Sequence, residues 1–191
     1  MRAILAAAFA LTTAAAAAAG NDDRPYAATG FAGWMLDNPW HDIFLSQRDL
    51  IFENAGLVGG AVSARVWRPF DGLDIEVEGQ LVRHFGGQRH WEVNAPLVTA
   101  RWTRFPWDDV IDTSAAFGIG PSLASKVPRL ERLNNTTSST ALLYWMIEIE
   151  AGPPDSDWST VWRVHHRSTG YGFAGEDGGS NALAVGLRRR F

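Results

Sequence analysis

Cysteine is absent from the 191 residues. The chain therefore forms no disulfide and offers no thiolate to a metal, although that absence fits any compartment. Long basic runs are also missing and the formal net charge is −4, so nucleic acid is not an expected partner. Beyond the N-terminus no segment is long and apolar enough for a membrane helix. No histidine pair has the spacing of a metal-binding helix. His41, His84 and His90 are scattered, and His84 and His90 around the FGGQRH stretch make an incomplete site on their own. The glycines of LVGG and GGS precede no helix and so are not phosphate loops. Neither a metal nor a cofactor is expected.

What is present begins with MRAILAAAFALTTAAAAAAG. Arg2 is its only charge, an apolar stretch follows, and small residues such as Ala17-Ala18-Ala19 before Gly20 suit signal peptidase. A membrane anchor is the competing reading, but the alanine-rich tail is weakly hydrophobic and Asn21-Asp22-Asp23 follows in place of a basic stop. Residues 1–20 are read as a cleaved signal peptide and 21–191 as one exported domain.

In the mature chain, period-two alternation recurs. LDIEVEGQL sets Leu73, Ile75, Val77, Gly79 and Leu81 against Asp74, Glu76, Glu78 and Gln80, a strand with one apolar and one acidic face. ALLYWMIEIEA, VIDTSAAFGIGPSL and SNALAVGLRRRF repeat the pattern, and weaker segments bring the total to roughly eight strands. Connections alternate as well. PFDG, FPWDD and AGPPDSD are short turns, whereas the stretches at residues 36–54, 85–90 (FGGQRH), 122–139 and 169–180 are generally longer. Turns at one end and loops at the other characterise outer-membrane barrels.

A soluble barrel or sandwich also alternates, with its apolar face inward. Here the polar faces carry Asp74, Glu76, Glu78, Glu148, Glu150, Arg163, Arg188 and Arg190, a mixed-charge set able to pair inside a narrow lumen. Trp67, Phe70, Phe105, Trp107 and Trp158 suit an interfacial girdle. The aromatic C-terminus, Phe191, resembles the ending that outer-membrane assembly machinery reads. The expected fold is all-β, an eight-stranded antiparallel transmembrane β-barrel in the outer membrane of a Gram-negative cell.

One strand, WSTVWRVHHRSTGYG, continues its apolar face into polar residues. Trp158, Trp162, Val164, His166 and Ser168 share one side by parity, and Arg163, His165 and Arg167 the other. On an outward apolar face, His166 and Ser168 lie beside the outer leaflet, a base and a nucleophile two residues apart. A nucleophile aimed at the bilayer meets only a substrate that lives there, which points to a lipid ester. Asn181, outward at the start of the last strand, is placed to orient the His166 ring, with Glu176 or Asp177 in the intervening loop as alternatives. His165 faces the lumen and is read as structural. Lys126, Arg129 and Arg132 lie in a loop that has solvated and lipopolysaccharide-phosphate readings.

These residues resemble the C-terminal part of the outer-membrane lipid A 3-O-deacylase family, in a divergent, acyloxyacyl hydrolase-like form. The resemblance covers about the last 30 residues through the His-x-Ser motif, and the rest by strand pattern. It implies serine esterase chemistry on an acyl chain of lipid A, with Ser168 as nucleophile and His166 as base. Asn181 stands at the family's Glu position, and Thr169 where the family commonly has an oxyanion-hole Asn. Gly170 and the loop amides are then the remaining donors. A non-catalytic barrel of the same fold, structural or ligand-binding, is the alternative, and a soluble periplasmic lipid-binding barrel a third.

Overall fold

A computed structural model describes residues 24–135, 138–170 and 178–191. The expected signal peptide lies outside them. Eight strands close into one antiparallel barrel in sequence order: β1 (Tyr26–Leu36), β2 (Phe52–Phe70), β3 (Leu73–Gly86), β4 (Trp91–Trp102), β5 (Asp112–Ala124), β6 (Ala141–Gly152), β7 (Trp158–Ser168) and β8 (Gly179–Arg190). Closure comes from β8 pairing with β1, from Ala27 opposite Arg190 to Leu36 opposite Asn181. It leaves no free sheet edge. Two short helices sit in loops at one end, α1 (Asp42–Leu45) and α2 (Arg129–Asn134). Among the described residues no helix is long and apolar enough to cross a membrane.

Strand parity sorts the side chains as their alternation requires. Asp74, Glu76, Glu78, Gln80, Val82 and His84 of β3 are buried in the lumen, while Leu81 on the alternate face is exposed. Val58, Val62, Val98, Phe117, Ile119, Ile149, Trp162, Val185 and Leu187 are likewise exposed on the outer wall. The interior is therefore the polar side. Trp67, Phe70, Trp102, Trp107, Trp158 and Phe191 are exposed at the turn end, and Trp34, Phe52, Phe85 and Trp91 at the loop end. Two aromatic belts bracketing an apolar band match a wall built to face lipid.

Charges buried in the lumen are paired, as burial demands. Arg101 donates to Glu76 at 3.1 Å, Glu148 at 2.8 Å and Glu150 at 3.0 Å. Arg163 reaches Glu148 at 2.5 Å and lies over the Phe31 ring at 4.8 Å. Gly59 gives that ring its space, since a Cβ there would stand 2.6 Å from Phe31 Cζ. At the loop end Arg167 pairs with Glu131 of α2 at 2.6 Å, which holds the helix in the mouth of the barrel.

One connection departs from the expected alternation. Residues 87–90, between β3 and β4, form a shorter link than residues 103–111 between β4 and β5. Gly86 at φ 77° allows the sharp reversal, and the His84 amide closes it on the His90 carbonyl at 3.0 Å.

Candidate active site

Backbone register builds the site before any side chain is considered. Trp145 of β6 stands opposite His166 of β7, His166 opposite Asn181 of β8, and Asn181 opposite Leu36 of β1. This row crosses four adjacent strands on the outer wall near the loop end. Directly opposed outward side chains touch. The His166 and Trp145 rings lie 4.3 Å apart at 31°. His166 Nδ1 and Asn181 Oδ1 are 2.5 Å apart.

That bond fixes the tautomer. Asn181 Nδ2 donates to the Asn38 carbonyl at 2.8 Å, so the amide presents its oxygen to the ring. His166 therefore donates through Nδ1, and Nε2 keeps the lone pair of a base. An asparagine does here the orienting part of a triad acid's work, without its negative charge.

Ser168 follows two residues on, on the same face and opposite Gly179. Its Oγ accepts from the Gly170 amide at 3.3 Å, a bond made possible by Gly170 at φ 63°. Among the described residues no hydrogen bond joins His166 to Ser168. The Thr169 amide donates to the Gly178 carbonyl at 3.2 Å, so that amide is spent on holding the loop and not free for an oxyanion. Glu176 and Asp177 lie outside the described residues.

The expectation that His166 simply faces lipid needs correction. It points outward by parity, but His166 and Asn181 are each only 8% exposed. Residues 37–51 fold back over the outer wall. Ile43 of α1 packs into a cluster with Leu36 and Val164, flanked by Leu50, Trp145, Ile147 and Leu183. Trp40 meets Trp145 edge-on at 5.5 Å. Apolar surface at Ile43 and Leu50 drives this docking, and the Asn38 carbonyl anchors it to Asn181. A cavity of about 310 Å³ remains, lined by Asn38, Trp40, Asn134, His166, Gly179 and Asn181 among others. A second, apolar groove of about 550 Å³ runs down the wall under Ile43 and Phe44, past Ile147, Trp162 and Val185.

A second titratable cluster sits inside the barrel, and sequence reasoning missed it. His84 of β3, Glu92 of β4 and His165 of β7 converge in the lumen, each imidazole Nε2 lying 3.0 Å from a different Glu92 oxygen. His90, just before β4, stacks on His84 with ring centroids 4.1 Å apart. Its burial, and secondarily His84 beside it, push the His90 ring down to about 3. Parity alone placed His84, Glu92 and His165 on inward faces. Their common height depended on bulges between Glu78 and Gln80 and between Asn94 and Val98, which the alternation does not reveal.

No family model matches the chain, and no curated protein does. Among solved structures it is similar to the outer membrane enzyme PagL, with TM-score 0.55 and 13% identity over 86% of this chain and 99% of that one. Neisserial surface protein A, NspA, aligns with TM-score 0.49 and 8% identity over 87% and 96% of the two chains. The N-terminal β-barrel domain of Pseudomonas aeruginosa OprF aligns with TM-score 0.47 and 9% identity over 88% and 98%. The similarity to PagL is one of fold: this chain is a closed eight-stranded barrel of the outer-membrane type.

Proposed function

We propose that this barrel sits in the outer membrane of a Gram-negative cell and is a serine esterase that removes an acyl chain from lipid A. The observation that carries the reading is the His166–Asn181 hydrogen bond, which fixes a lone pair on His166 Nε2, two residues from Ser168 on the same strand face. The apolar band with aromatic belts supports the location, and the resemblance of His166 and Ser168 to the deacylase motif supports the substrate class. Arg89, Lys126, Arg129 and Arg132 around a pocket of about 540 Å³ at the loop end suit the phosphates of lipopolysaccharide.

In this reading Ser168 Oγ attacks the ester carbonyl as His166 Nε2 takes its proton. The tetrahedral intermediate carries its negative charge on the former carbonyl oxygen. Gly170 N–H, which donates to Ser168 Oγ at rest, would turn to that oxygen. Collapse breaks the bond to the sugar oxygen, which leaves with the proton from His166. Water, deprotonated by the same imidazole, then releases the fatty acid. The groove beneath Ile43 and Phe44 gives the acyl chain an apolar path along the wall. Entry requires residues 37–51 to lift from His166.

The cover over His166 and the missing His166–Ser168 bond favour a second reading, a non-catalytic barrel with a structural or ligand-binding role. Mass spectrometry of lipid A from cells expressing wild type or Ser168→Ala separates the two. The esterase reading expects a species one acyl chain lighter with wild type alone. Identical acylation in both strains leaves the non-catalytic reading.

A further inference from the structure

We propose that His84, Glu92 and His165 form a binding site for a divalent metal ion of the zinc class, enclosed in the lumen below the long loops. Two neutral imidazoles and one carboxylate are a donor set for such an ion. Nitrogen donors disfavour calcium and magnesium, which take oxygen ligands. The three ligand atoms, one from each residue, all lie within 4.8 Å of one another. In a tetrahedral zinc site, with metal–ligand bonds of about 2.0–2.2 Å, such atoms stand roughly 3.4 Å apart. Each imidazole Nε2 lies 3.0 Å from Glu92, on different oxygens, so whichever oxygen binds the ion already stands near that separation from one imidazole. All three side chains are only 2% exposed, and they stand on three strands of a closed barrel. The scaffold is therefore rigid.

Polar side chains next to the set contact two of its three members. Asn94 Nδ2 donates to Glu92 Oε1 at 2.8 Å. The Gln88 side-chain amide stands 3.2 Å from His84 Nδ1. As it stands the amide oxygen accepts from the Leu130 amide at 3.4 Å and its nitrogen faces the ring; a metal on His84 Nε2 requires the amide to turn over, give up Leu130 and accept the Nδ1 proton.

An independent observation points to a ligand. His90 is 2% exposed and stacks on His84, yet among the described residues neither of its buried ring nitrogens has a hydrogen-bond partner. Buried polar atoms are seldom left so. The Tyr144 hydroxyl is likewise buried and unpartnered, and its ring lies 4.6 Å from His165. Hydrogen bonding to Glu92 accounts for one nitrogen each of His84 and His165, but not for His165 Nδ1, His90 or Tyr144. His90, stacked on His84, is a further nitrogen ligand that a shift of its ring could bring to the fourth position. It also lines the pocket of about 540 Å³ that opens at the loop end, which provides an entry path.

The test uses the full mature chain without a polyhistidine tag, refolded in detergent and stripped with a chelator. Titration with Co2+ should give visible ligand-field bands saturating at one ion per barrel and bleached by Zn2+. His84→Gln and His165→Gln should each weaken binding at least tenfold, while His41→Gln, in an exposed loop, should leave it unchanged. Folding of each variant is checked by its heat-modifiable gel migration. Should the variants not fold, X-ray absorption on zinc-loaded wild type still decides, with two imidazoles in the inner shell expected. Absence of stoichiometric Co2+ binding by the folded barrel overturns the proposal. So does binding that survives the double substitution, or an inner shell without imidazole.

Discussion

His165 and His166 are neighbours in the chain and share nothing else. His165 points into the lumen, where its Nε2 lies 3.0 Å from Glu92 among paired charges. His166 points out of the wall, with Nδ1 on the Asn181 amide and its ring against Trp145. A strand turns each successive residue to the opposite face. In a membrane-type barrel that half-turn moves a side chain from a polar, ion-paired interior to an apolar exterior. The lesson is that chemistry here is assigned by parity and by the strands alongside. One histidine belongs to a rigid network and the other to a wall where a lipid can arrive.

The largest effect expected from breaking this comparison is on hydrolysis. His166→Gln should lower deacylation of a lipid A micelle substrate on the order of 10³-fold or more, with its urea unfolding midpoint near wild type. His165→Gln should do the reverse, keeping activity within a few-fold while lowering the midpoint. Equal loss of activity in both variants would break the division between the two faces.

The interior is tested next by Arg101→Ala, which removes the guanidinium that Glu76, Glu148 and Glu150 have in common and leaves Glu76 and Glu150 on Arg188 and Glu148 on Arg163. Breaking a buried network of this kind costs about 3–5 kcal/mol, read from urea unfolding in detergent. The exterior site is sharpened by Asn181→Asp, whose carboxylate would stabilise the imidazolium that Asn181 only orients. Initial rates should rise about tenfold, whereas Asn181→Ala should lower them; a fall in both says that the Asn38 contact matters more than the charge. The smallest effect is at the turn end, where Arg104 pairs with Asp71 in the open. Arg104→Ala should change stability by less than about 1 kcal/mol, because solvent screens the pair.

How far the sequence alone carries depends on the length scale of each feature. The barrel was legible because Leu73, Ile75, Val77 and Leu81 against Asp74, Glu76, Glu78 and Gln80 state both period and polarity in nine residues. Nearest-neighbour features followed. Asn181 lies opposite His166 because β7 and β8 are joined by one loop and parity fixes the faces. The covering of His166 was not legible. Nothing periodic in residues 37–51 says that Ile43 packs on Val164 and Leu36 outside the wall rather than standing clear of it. The lumen cluster was hidden for a related reason. His84, Glu92 and His165 meet from three strands across the barrel, and their heights depend on bulges that shift the register. Thr169 illustrates the finest scale. It stands where the resemblance puts an oxyanion-hole residue, and its amide is committed to Gly178 by the path of the loop.

The central claim is that Ser168 is a nucleophile activated by His166. Its most direct measurement is labelling of the detergent-folded barrel with a long-chain alkyl fluorophosphonate, followed by peptide mass spectrometry. The account predicts a single adduct on the peptide containing Ser168, absent from Ser168→Ala and nearly absent from His166→Gln. An unlabelled wild-type barrel, or an adduct formed equally well without His166, would contradict it.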